Sequence, residues 1–280
     1  MFAAMSLFNK LFGRPATAEP VPSSAPAQPV QPAPRPAPPA PSVPSVVGRY
    51  ASLPGSDPAL LATIGATVAA RLDADPRAHR IKANGLDIFA VPDFVSSPER
   101  AELIAMIGAD VKPSTSLRAD GKPSRRTSET CHLHAAAPLV AEVERRMMAL
   151  LGLPLTHSET VQGQRYSPGQ QFKVHNDYFA AGQPYSETVA SEGGQRTWTA
   201  MVYLDAPGGG GATHFPYAGI AVPATPGVLL AWCNLDRNGM PNRFSHHEGT
   251  MVTDGVKHVL TKWFREREWH SSAASNALRR

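Results

Sequence analysis

A proline-rich segment limits where a folded domain can lie in this chain of 280 residues. Twelve of the 28 prolines fall between Pro15 and Pro44, together with seven alanines and no aromatic residue. Such a segment buries too little apolar surface to offset the entropy that is lost when it becomes ordered. We therefore expect residues 1–50 to form a disordered, polyproline-like tail, and the folded part to begin near residue 51.

The charge of the chain is also unevenly distributed. The net charge is +4, and residues 1–50 carry +3 of it, so the rest of the chain is close to neutral. A near-neutral domain lacks the basic surface that nucleic-acid binding requires, and we expect no nucleic-acid partner. No apolar run is long enough for a transmembrane helix. Residues 5–13 are predicted to form at most a short amphipathic helix that touches a membrane or a partner.

The cysteines and the N-terminus bear on the compartment. Cys131 and Cys233 are too few for a disulfide framework, which is consistent with a reducing environment. The first residues contain no long apolar region followed by a cleavage site, so we do not predict a signal peptide. These features favour a cytoplasmic location, and the sequence leaves the oligomeric state open.

Apolar spacing predicts three helices followed by many short strands. Helical periodicity begins at Asp57-Pro58, at Ser97-Pro98 and at Pro138, and a short strand is predicted at 86–91. After residue 158, short apolar segments alternate with glycine and proline turns, which indicates a β-region. The expected fold class is therefore α+β, with a β-sandwich or roll packed against N-terminal helices. The side chains expected to point inward from the first helix are those of Leu60, Leu61, Ile64, Val68 and Leu72.

Residues 111–128 are polar and basic, and they predict a long mobile loop or a strand–loop–strand unit.

Three pairs of residues place a histidine two positions before an acidic residue. They are His157/Glu159, His175/Asp177 and His246/Glu248. In a strand, residues two apart lie on the same face, so such a pair can offer an imidazole and a carboxylate to one metal ion. A second histidine from a distant strand completes the donor set that non-haem Fe(II) oxygenases use. About one such pair is expected by chance, so the spacing alone does not select among the three.

Three blocks that follow one another in the chain carry a resemblance to a known family. They read GQRYSPGQQFKVHNDYF (163–179), GGQRTWTAMVYLDAPGGGGATHFP (193–216) and RFSHHEGTMVTDGVKHVLTKWFRE (243–266). Together they resemble the prolyl 4-hydroxylase alpha-subunit family of Fe(II)- and 2-oxoglutarate-dependent dioxygenases. The resemblance covers about residues 85–267. It implies a double-stranded β-helix (jelly-roll) core, and we place the dioxygenase domain at 85–270, a helical extension at 51–84 and a C-terminal tail at 271–280.

The resemblance also implies roles for six residues. His175, Asp177 and His247 match the catalytic ligands of Fe(II), and Lys257, ten residues after His247, matches the cation that binds the far carboxylate of 2-oxoglutarate. Tyr166 and Thr199 match hydroxyl donors to that same carboxylate. Strand alternation weakly supports His247 over its neighbour His246, because adjacent residues face opposite ways. The implied co-substrate is O2, and L-ascorbate is implied as the reductant that rescues oxidised iron.

Several other residues are candidates near this site. The arginines that could bind substrate, each as readily a structural residue, are Arg125, Arg126 and Arg196. Trp232 is expected in the core, and Asn234 beside the metal ligands. Cys233 is expected to be a buried apolar residue, although a cysteine near iron is liable to oxidation.

The activity that the resemblance implies is hydroxylation of a C–H bond, at C4 of a peptidyl proline, with succinate and CO2 as co-products. The partner is then a peptide or protein substrate. A proline-rich peptide is one candidate, and the tail segment PAPRPAPPAP (32–41) is another. Two alternatives remain: a catalytically silent β-helix module that binds peptides while its tail recruits a partner, and a β-barrel metal protein with non-oxidative chemistry. Lys257 favours the oxygenase, because neither alternative needs that cation.

Overall fold

The computed structural model describes residues 50–114 and 126–270. The predictions for the proline-rich tail, for the amphipathic turns at 5–13, for Arg125 and for the tail at 271–280 lie outside the described residues.

The described part of the chain contains four α-helices, and the first three are the predicted ones. Asp57 caps the first by accepting hydrogen bonds from the backbone N–H groups of the next turn, and Ser96 caps the second in a capping box with Glu99. The prediction that Leu60 points inward is wrong, since this side chain is 42% exposed. Adjacent helical residues are rotated by about 100° about the axis, and Leu61 takes the inward position. The helices are α1 (Pro58–Ala74), α2 (Ser97–Ala109), α3 (Pro138–Leu151) and α4 (Ser186–Ser191).

Short strands fill the region after residue 158, as predicted, and a few precede it. In chain order the strands of the described residues are β1 (His79–Arg80), β2 (Ile88–Val91), β3 (Lys112–Pro113), β4 (Glu129–His132), β5 (Gln162–Tyr166), β6 (Phe172–His175), β7 (Arg196–Tyr203), β8 (Gly209–Gly210), β9 (Thr213–Phe215), β10 (Ile220–Val222), β11 (Leu229–Cys233), β12 (His247–Gly249), β13 (Val252–Asp254) and β14 (Lys257–Arg265). Short 3₁₀ turns lie at Leu155–His157 and Arg243–Ser245.

Two antiparallel sheets pack face to face. The major sheet has the order β1-β2-β11-β7-β14-β5-β4-β3, the minor sheet has the order β10-β9-β12-β6, and β8 pairs with β13. Tyr203 Oη in the major sheet donates a hydrogen bond of 2.7 Å to Thr213 Oγ1 in the minor sheet. The rings of Phe215 and Trp232 meet across the same interface, with centroids 5.5 Å apart. This is an α+β jelly-roll, or double-stranded β-helix, core with supporting helices, and the predicted fold class is confirmed.

Alternation along the major sheet separates an apolar outer face from a more polar inner face. Trp198, Ala200 and Val202 of β7 pack with α1, α2 and α3 in one buried cluster. Thr199 and Tyr203 of the same strand contact residues on the opposite, inner side, where the minor sheet lies. Because α1 belongs to that cluster, the extension at 51–84 forms part of the same core as the β-strands.

The segments that flank residues 115–125 pair as β3 and β4, with Lys112 opposite Thr130. The described ends therefore fit the predicted strand–loop–strand unit. Among the described residues, the structure contains no helix long and apolar enough to cross a membrane.

Candidate functional site

Three potential metal ligands converge at the end of the minor sheet. His175 is the last residue of β6, His247 is the first of β12, and the two face each other in register. One donor atom from each of His175, Asp177 and His247 lies within 4.8 Å of the other two. His175 Nε2 is 3.9 Å from Asp177 Oδ1, and His247 Nε2 is 3.9 Å from Asp177 Oδ2. The sequence predicted that His175 and Asp177 lie on the same face of one strand. Asp177 instead lies in a bend after the end of β6, and this bend directs its carboxylate toward the histidines.

Both histidines are oriented by their second ring nitrogen. His175 Nδ1 lies 2.9 Å from the carbonyl oxygen of Lys173, and His247 Nδ1 lies 2.9 Å from that of Ser245. A carbonyl oxygen only accepts, so each Nδ1 carries a hydrogen, and this bond turns each Nε2 toward the centre. Burial, reinforced by the nearby His247, lowers the pKa of His175 well below its ordinary value. The imidazole is thus neutral, as a metal ligand must be.

The Asp177 carboxylate is buried, with 6% of the residue exposed, and ionised. Burial by itself raises its pKa, but the two histidines, Arg196 and a hydrogen bond from Thr199 together lower it below the ordinary value. Thr199 Oγ1 donates to Asp177 Oδ2 at 2.8 Å, and Asn234 Nδ2 donates to Thr199 Oγ1 at 2.9 Å. In this structure the single hydroxyl hydrogen of Thr199 is directed to Asp177, and the role of Thr199 as a donor to the co-substrate carboxylate stays a prediction. Asn234 lies beside the ligands, where it was expected.

Lys257 provides a buried cation on the inner face of the major sheet. It is 3% exposed, pairs in register with Tyr166, and its Nζ lies 5.4 Å from the ring centroids of Tyr166 and Tyr203. Burial lowers the pKa of Lys257 to about 7, although Asp205 acts in the opposite direction. Nothing in the described part of the chain forms a hydrogen bond or ion pair with this ammonium group. A buried charge of this kind favours a bound anion such as a carboxylate.

Tyr166 does not point a free hydroxyl hydrogen toward Lys257 in this structure. Its hydroxyl donates to Gln164 Oε1 at 3.0 Å, and Gln164 Nε2 donates to Thr261 Oγ1 at 3.1 Å. Sequence reasoning missed Gln164 and Thr261, although strand alternation places Gln164 on the same face as Tyr166. Tyr166 therefore lines the pocket of Lys257, and its hydroxyl hydrogen must turn from Gln164 to serve an anion there.

Two of the three arginine candidates, Arg126 and Arg196, lie among the described residues, and they have different surroundings. Arg196 forms two hydrogen bonds of 2.7 Å to Glu159, which also accepts from Arg265 at 2.8 Å, and Arg196 reaches the Asp177 carbonyl oxygen at 3.4 Å. Its guanidinium is thus a structural group beside the ligand loop. Arg126 is buried, donates to Ser128 Oγ at 2.7 Å, and lies over the Phe172 ring at 5.1 Å.

The two rejected histidine–acid pairs have other partners. Glu159 of the first pair belongs to the arginine cluster just described, and Glu248 of the second pairs with His214 at 2.8 Å. His246 lies outside β12, and its ring packs against tyrosines.

Phe172, which stacks on His175 with ring centroids 3.5 Å apart, was not anticipated from the sequence. Trp232 is buried as expected, and its ring meets His247 at 4.9 Å. Cys233, the next residue, joins the opposite, apolar cluster, as a buried structural cysteine does.

The donor set fits Fe(II). Two imidazole nitrogens and one ionised carboxylate converge on one point, and three donors leave coordination positions for other ligands. Carbonyl-anchored histidines and a carboxylate that itself accepts a hydrogen bond are the second layer of contacts that a metal site requires.

Comparison with known proteins agrees with this geometry. A family model described as the 2OG-Fe(II) oxygenase superfamily matches residues 161–265. Prolyl 4-hydroxylase 1 of Arabidopsis thaliana is 30% identical over 202 residues, which are 64% of this chain and 69% of that protein. Prolyl 4-hydroxylase subunit alpha-2 of Gallus gallus is 36% identical over 130 residues, but the match spans only 46% of this chain and 24% of the subunit.

A solved structure shares the fold. The crystal structure of a viral collagen prolyl hydroxylase from Paramecium Bursaria Chlorella virus-1, in complex with 2OG, superposes with a TM-score of 0.50 at 24% identity. The match covers 64% of this chain and 95% of the viral one.

The chain therefore belongs to the 2OG-Fe(II) oxygenase superfamily, as a prolyl 4-hydroxylase-like member. It is a 2-oxoglutarate-dependent dioxygenase that uses Fe(II), 2-oxoglutarate and O2, and ascorbate is typical of the family. The predicted family, enzyme class and cofactors are confirmed. The silent-module alternative loses its basis, since the donor set is complete.

Proposed function

We propose that this enzyme hydroxylates C4 of a peptidyl proline and converts 2-oxoglutarate to succinate and CO2 in the same reaction. The observation that carries the proposal is the placement of two histidines, one carboxylate and the buried Lys257 in one jelly-roll interior. The names of the relatives, which are prolyl 4-hydroxylases, support the choice of proline.

In this proposal, His175, Asp177 and His247 hold the iron. Fe(II), when bound, supplies the activation of O2 that an unactivated C–H bond requires. The chain itself keeps each Nε2 aimed at the ion, through the backbone carbonyls of Lys173 and Ser245. Thr199 and Asn234 hold the carboxylate of Asp177, so that its two oxygens do not rotate away from the histidines.

Lys257 and Tyr166 orient the co-substrate. The Lys257 ammonium pairs with the far carboxylate of 2-oxoglutarate, and that charge-assisted bond offsets the cost of burying both groups. Tyr166 adds a hydroxyl donor once it turns from Gln164. Phe172, Phe215 and Trp232 pack against the ligand histidines and limit the access of water to the reacting atoms.

We also propose that residues 85–270 form the catalytic domain, with α1 as an integral support. The core contacts of α1 support this arrangement. We propose a cytoplasmic location, and the presence of two free, buried cysteines is consistent with it. Fractionation of the native host tests the location, and recovery of the protein outside the cytoplasm would refute it.

The experiment that tests the activity uses the full chain with Fe(II), 2-oxoglutarate, ascorbate and air. A proline-rich peptide is offered beside a matched peptide in which every proline is replaced by alanine. We expect the proline peptide to gain the mass of one oxygen atom, to release 4-hydroxyproline on hydrolysis, and to form one succinate for each oxygen gained. Succinate formed with no oxygen on any proline would leave the dioxygenase intact and refute the prolyl assignment.

A further inference from the structure

The bend that carries Asp177 takes its support from another part of the chain. Residues 176–179 follow β6 and lie in neither a strand nor a helix, and both Asp177 and Phe179 are buried. Buried main-chain N–H and C=O groups are costly when they lack hydrogen-bond partners. In this bend, side chains must therefore supply the bonds that strand pairing supplies elsewhere.

Gln195 supplies two of these hydrogen bonds. The N–H of Phe179 donates to Gln195 Oε1 at 2.7 Å, and Gln195 Nε2 donates to the carbonyl oxygen of Phe179 at 3.0 Å. The side-chain amide thus exchanges a donor and an acceptor with one residue, as two paired strand residues do. A glutamine can make this exchange because its amide carries both an acceptor oxygen and a donor nitrogen.

The orientation of this amide is determined by its surroundings. Gln195 is 1% exposed, and its Oε1 also accepts from the N–H of Arg196 at 2.9 Å. Because Oε1 faces two N–H donors, a flip of the amide would place its nitrogen against both of them. The amide therefore has one favourable orientation, which is the one that holds Phe179.

Glu266 in turn holds Gln195. The N–H of Gln195 donates to Glu266 Oε2 at 3.1 Å, and the N–H of Glu266 donates to the carbonyl oxygen of Gln195 at 2.8 Å. Glu266 is buried, and its carboxylate also accepts from Ser56 Oγ at 2.6 Å and from the N–H of Asp57 at 3.0 Å. The support of the bend thus extends to the segment directly before α1.

Arg196 holds the same bend at a second point. Its Nη1 donates to the carbonyl oxygen of Asp177 at 3.4 Å, so two consecutive residues hold the main chain at Asp177 and at Phe179. The ligands of a metal ion must be held to within about 0.5 Å of their working positions. A main chain that is fixed on both sides of Tyr178 limits how far the Asp177 carboxylate can move.

We propose that Gln195 is a positioning residue for the metal ligand Asp177. By fixing the main chain at Phe179, it keeps the Asp177 carboxylate where it shares a metal ion with the two histidines. The proposal rests on the metal centre of the proposed function. It assigns a part in metal binding to a residue that acts through the main chain two positions after the ligand.

The test measures metal affinity and ligand geometry separately, on the full chain. Calorimetry follows the titration of Co(II) into the apoprotein, and the visible absorption spectrum of the Co(II)-saturated protein reports the ligand geometry. Gln195→Met removes both hydrogen bonds to Phe179 at similar side-chain length. We expect the dissociation constant for Co(II) to rise by roughly tenfold or more and the spectrum to change, because the carboxylate is no longer held in place.

Gln195→Glu is the second variant, and it decides the question if the methionine variant does not fold. Glutamate keeps the acceptor for the N–H of Phe179 but has no donor for its carbonyl oxygen. We expect a smaller loss of Co(II) affinity, again with a changed spectrum. A variant that is only less stable would show the wild-type spectrum at saturation, and that result would overturn the proposal.

Gln170→Met is the matched control. The Gln170 amide also accepts from the main chain, from the N–H of Ser167 at 2.9 Å, but in a turn that carries none of the three ligands. It should bind Co(II) with the affinity and spectrum of the wild type, and a loss equal to that of Gln195→Met would overturn the proposal.

Asp177→Ala separates this proposal from the metal centre on which it rests. Co(II) binding at wild-type affinity by Asp177→Ala would refute the centre itself. Weak binding by Asp177→Ala together with wild-type affinity and spectrum in the Gln195 variants would leave the centre intact and overturn the positioning role.

Discussion

At the scale of single residues, a chain of two hydrogen bonds fixes the proposed metal carboxylate. Thr199 lies in β7 and Asn234 lies just after β11, and both strands belong to the major sheet. Together they hold Asp177, which follows β6 of the minor sheet. The hydroxyl of Thr199 accepts from one neighbour and donates to the other, and no other side chain of similar size except serine can do both.

We predict that Thr199→Val weakens binding of Fe(II), or of Co(II) as a stable substitute, by roughly 10–100-fold. Valine keeps the shape of threonine but leaves the amide of Asn234 and one oxygen of Asp177 without partners. The measurement is a titration of the metal ion into the apoprotein, monitored by calorimetry. Thr199→Ser keeps the hydroxyl and should bind nearly as well as the wild type, and equal affinity in the valine variant would contradict the role.

Lys257 makes co-substrate binding depend on pH. Its pKa is about 7 in the free enzyme because of burial, and a bound carboxylate favours the charged form. Binding therefore takes up a proton above this pH, and we predict that the dissociation constant for 2-oxoglutarate rises as the pH increases beyond about 7, approaching roughly tenfold per pH unit. Calorimetry across this range measures it.

Lys257→Met should bind 2-oxoglutarate weakly at every pH, with a flat profile, because methionine does not titrate. A wild-type dissociation constant that falls with rising pH would show that Lys257 is not the group that pairs with the carboxylate.

The residues of the site differ in how far the sequence reveals them. The blocks around His175, Asp177, His247 and Lys257 have fixed spacing and were located in advance. The hydrogen bonds of Thr199 were not, because they join it to Asp177 and Asn234, which are 22 and 35 positions away in the chain.

At the scale of elements, local signals predicted the helices better than the shortest strands. Caps and apolar periodicity mark α1, α2 and α3 in the sequence itself. Strands of two or three residues, such as β8 and β12, have too few positions to show a period, and they exist because a neighbouring strand pairs with them. The short helix α4 likewise lacks a long enough apolar pattern.

The glycine run at 208–211 is required by the pairing of β8 with β13. Gly210 has a φ of +72°, and a Cβ there would clash with the carbonyl oxygen of Met251. We predict that Gly210→Ala lowers the free energy of unfolding by about 2–4 kcal/mol, because backbone strain and a clash with main chain act together. Denaturant unfolding measures the loss.

Gly169→Ala is the matched control for this prediction. Gly169 also has a positive φ, of +83°, but nothing lies within 4 Å of a Cβ at that position. The control should show only the effect of backbone strain, a decrease of about 1–2 kcal/mol in the free energy of unfolding. Equal losses in the two variants would show that the clash with Met251 contributes nothing.

At the scale of the whole molecule, one buried acid joins three segments that are far apart in the sequence. Glu159 precedes β5 and pairs with Arg196 of β7 and Arg265 of β14. Burial by itself raises the pKa of Glu159, but the two arginines lower it to about 2, so it is ionised throughout the physiological range. Arg196 also donates a hydrogen bond to the backbone carbonyl oxygen of Asp177.

We predict that Glu159→Gln destabilises the protein by about 3–5 kcal/mol at neutral pH, because it removes the carboxylate that pairs directly with two buried arginines. The folded pKa of about 2 is below the ordinary value of 4.5, so this stabilisation is complete above about pH 4.5 and is lost as the pH falls toward 2. Unfolding curves of both proteins should therefore converge in acid. Glu142→Gln, in the exposed pair with Arg145, should change stability little, and an equal effect of both variants would contradict the role of burial.

The measurement that tests the central claim most directly is iron-dependent succinate formation from 2-oxoglutarate in His247→Ala, with His157→Ala as control. His157 belongs to another histidine–acid pair, and its Glu159 neighbour serves the arginine cluster. We predict that the wild type and His157→Ala form succinate only when Fe(II) is present, and that His247→Ala forms none and binds Fe(II) more weakly. Succinate formation at the wild-type rate by His247→Ala would contradict the proposed centre of His175, Asp177 and His247.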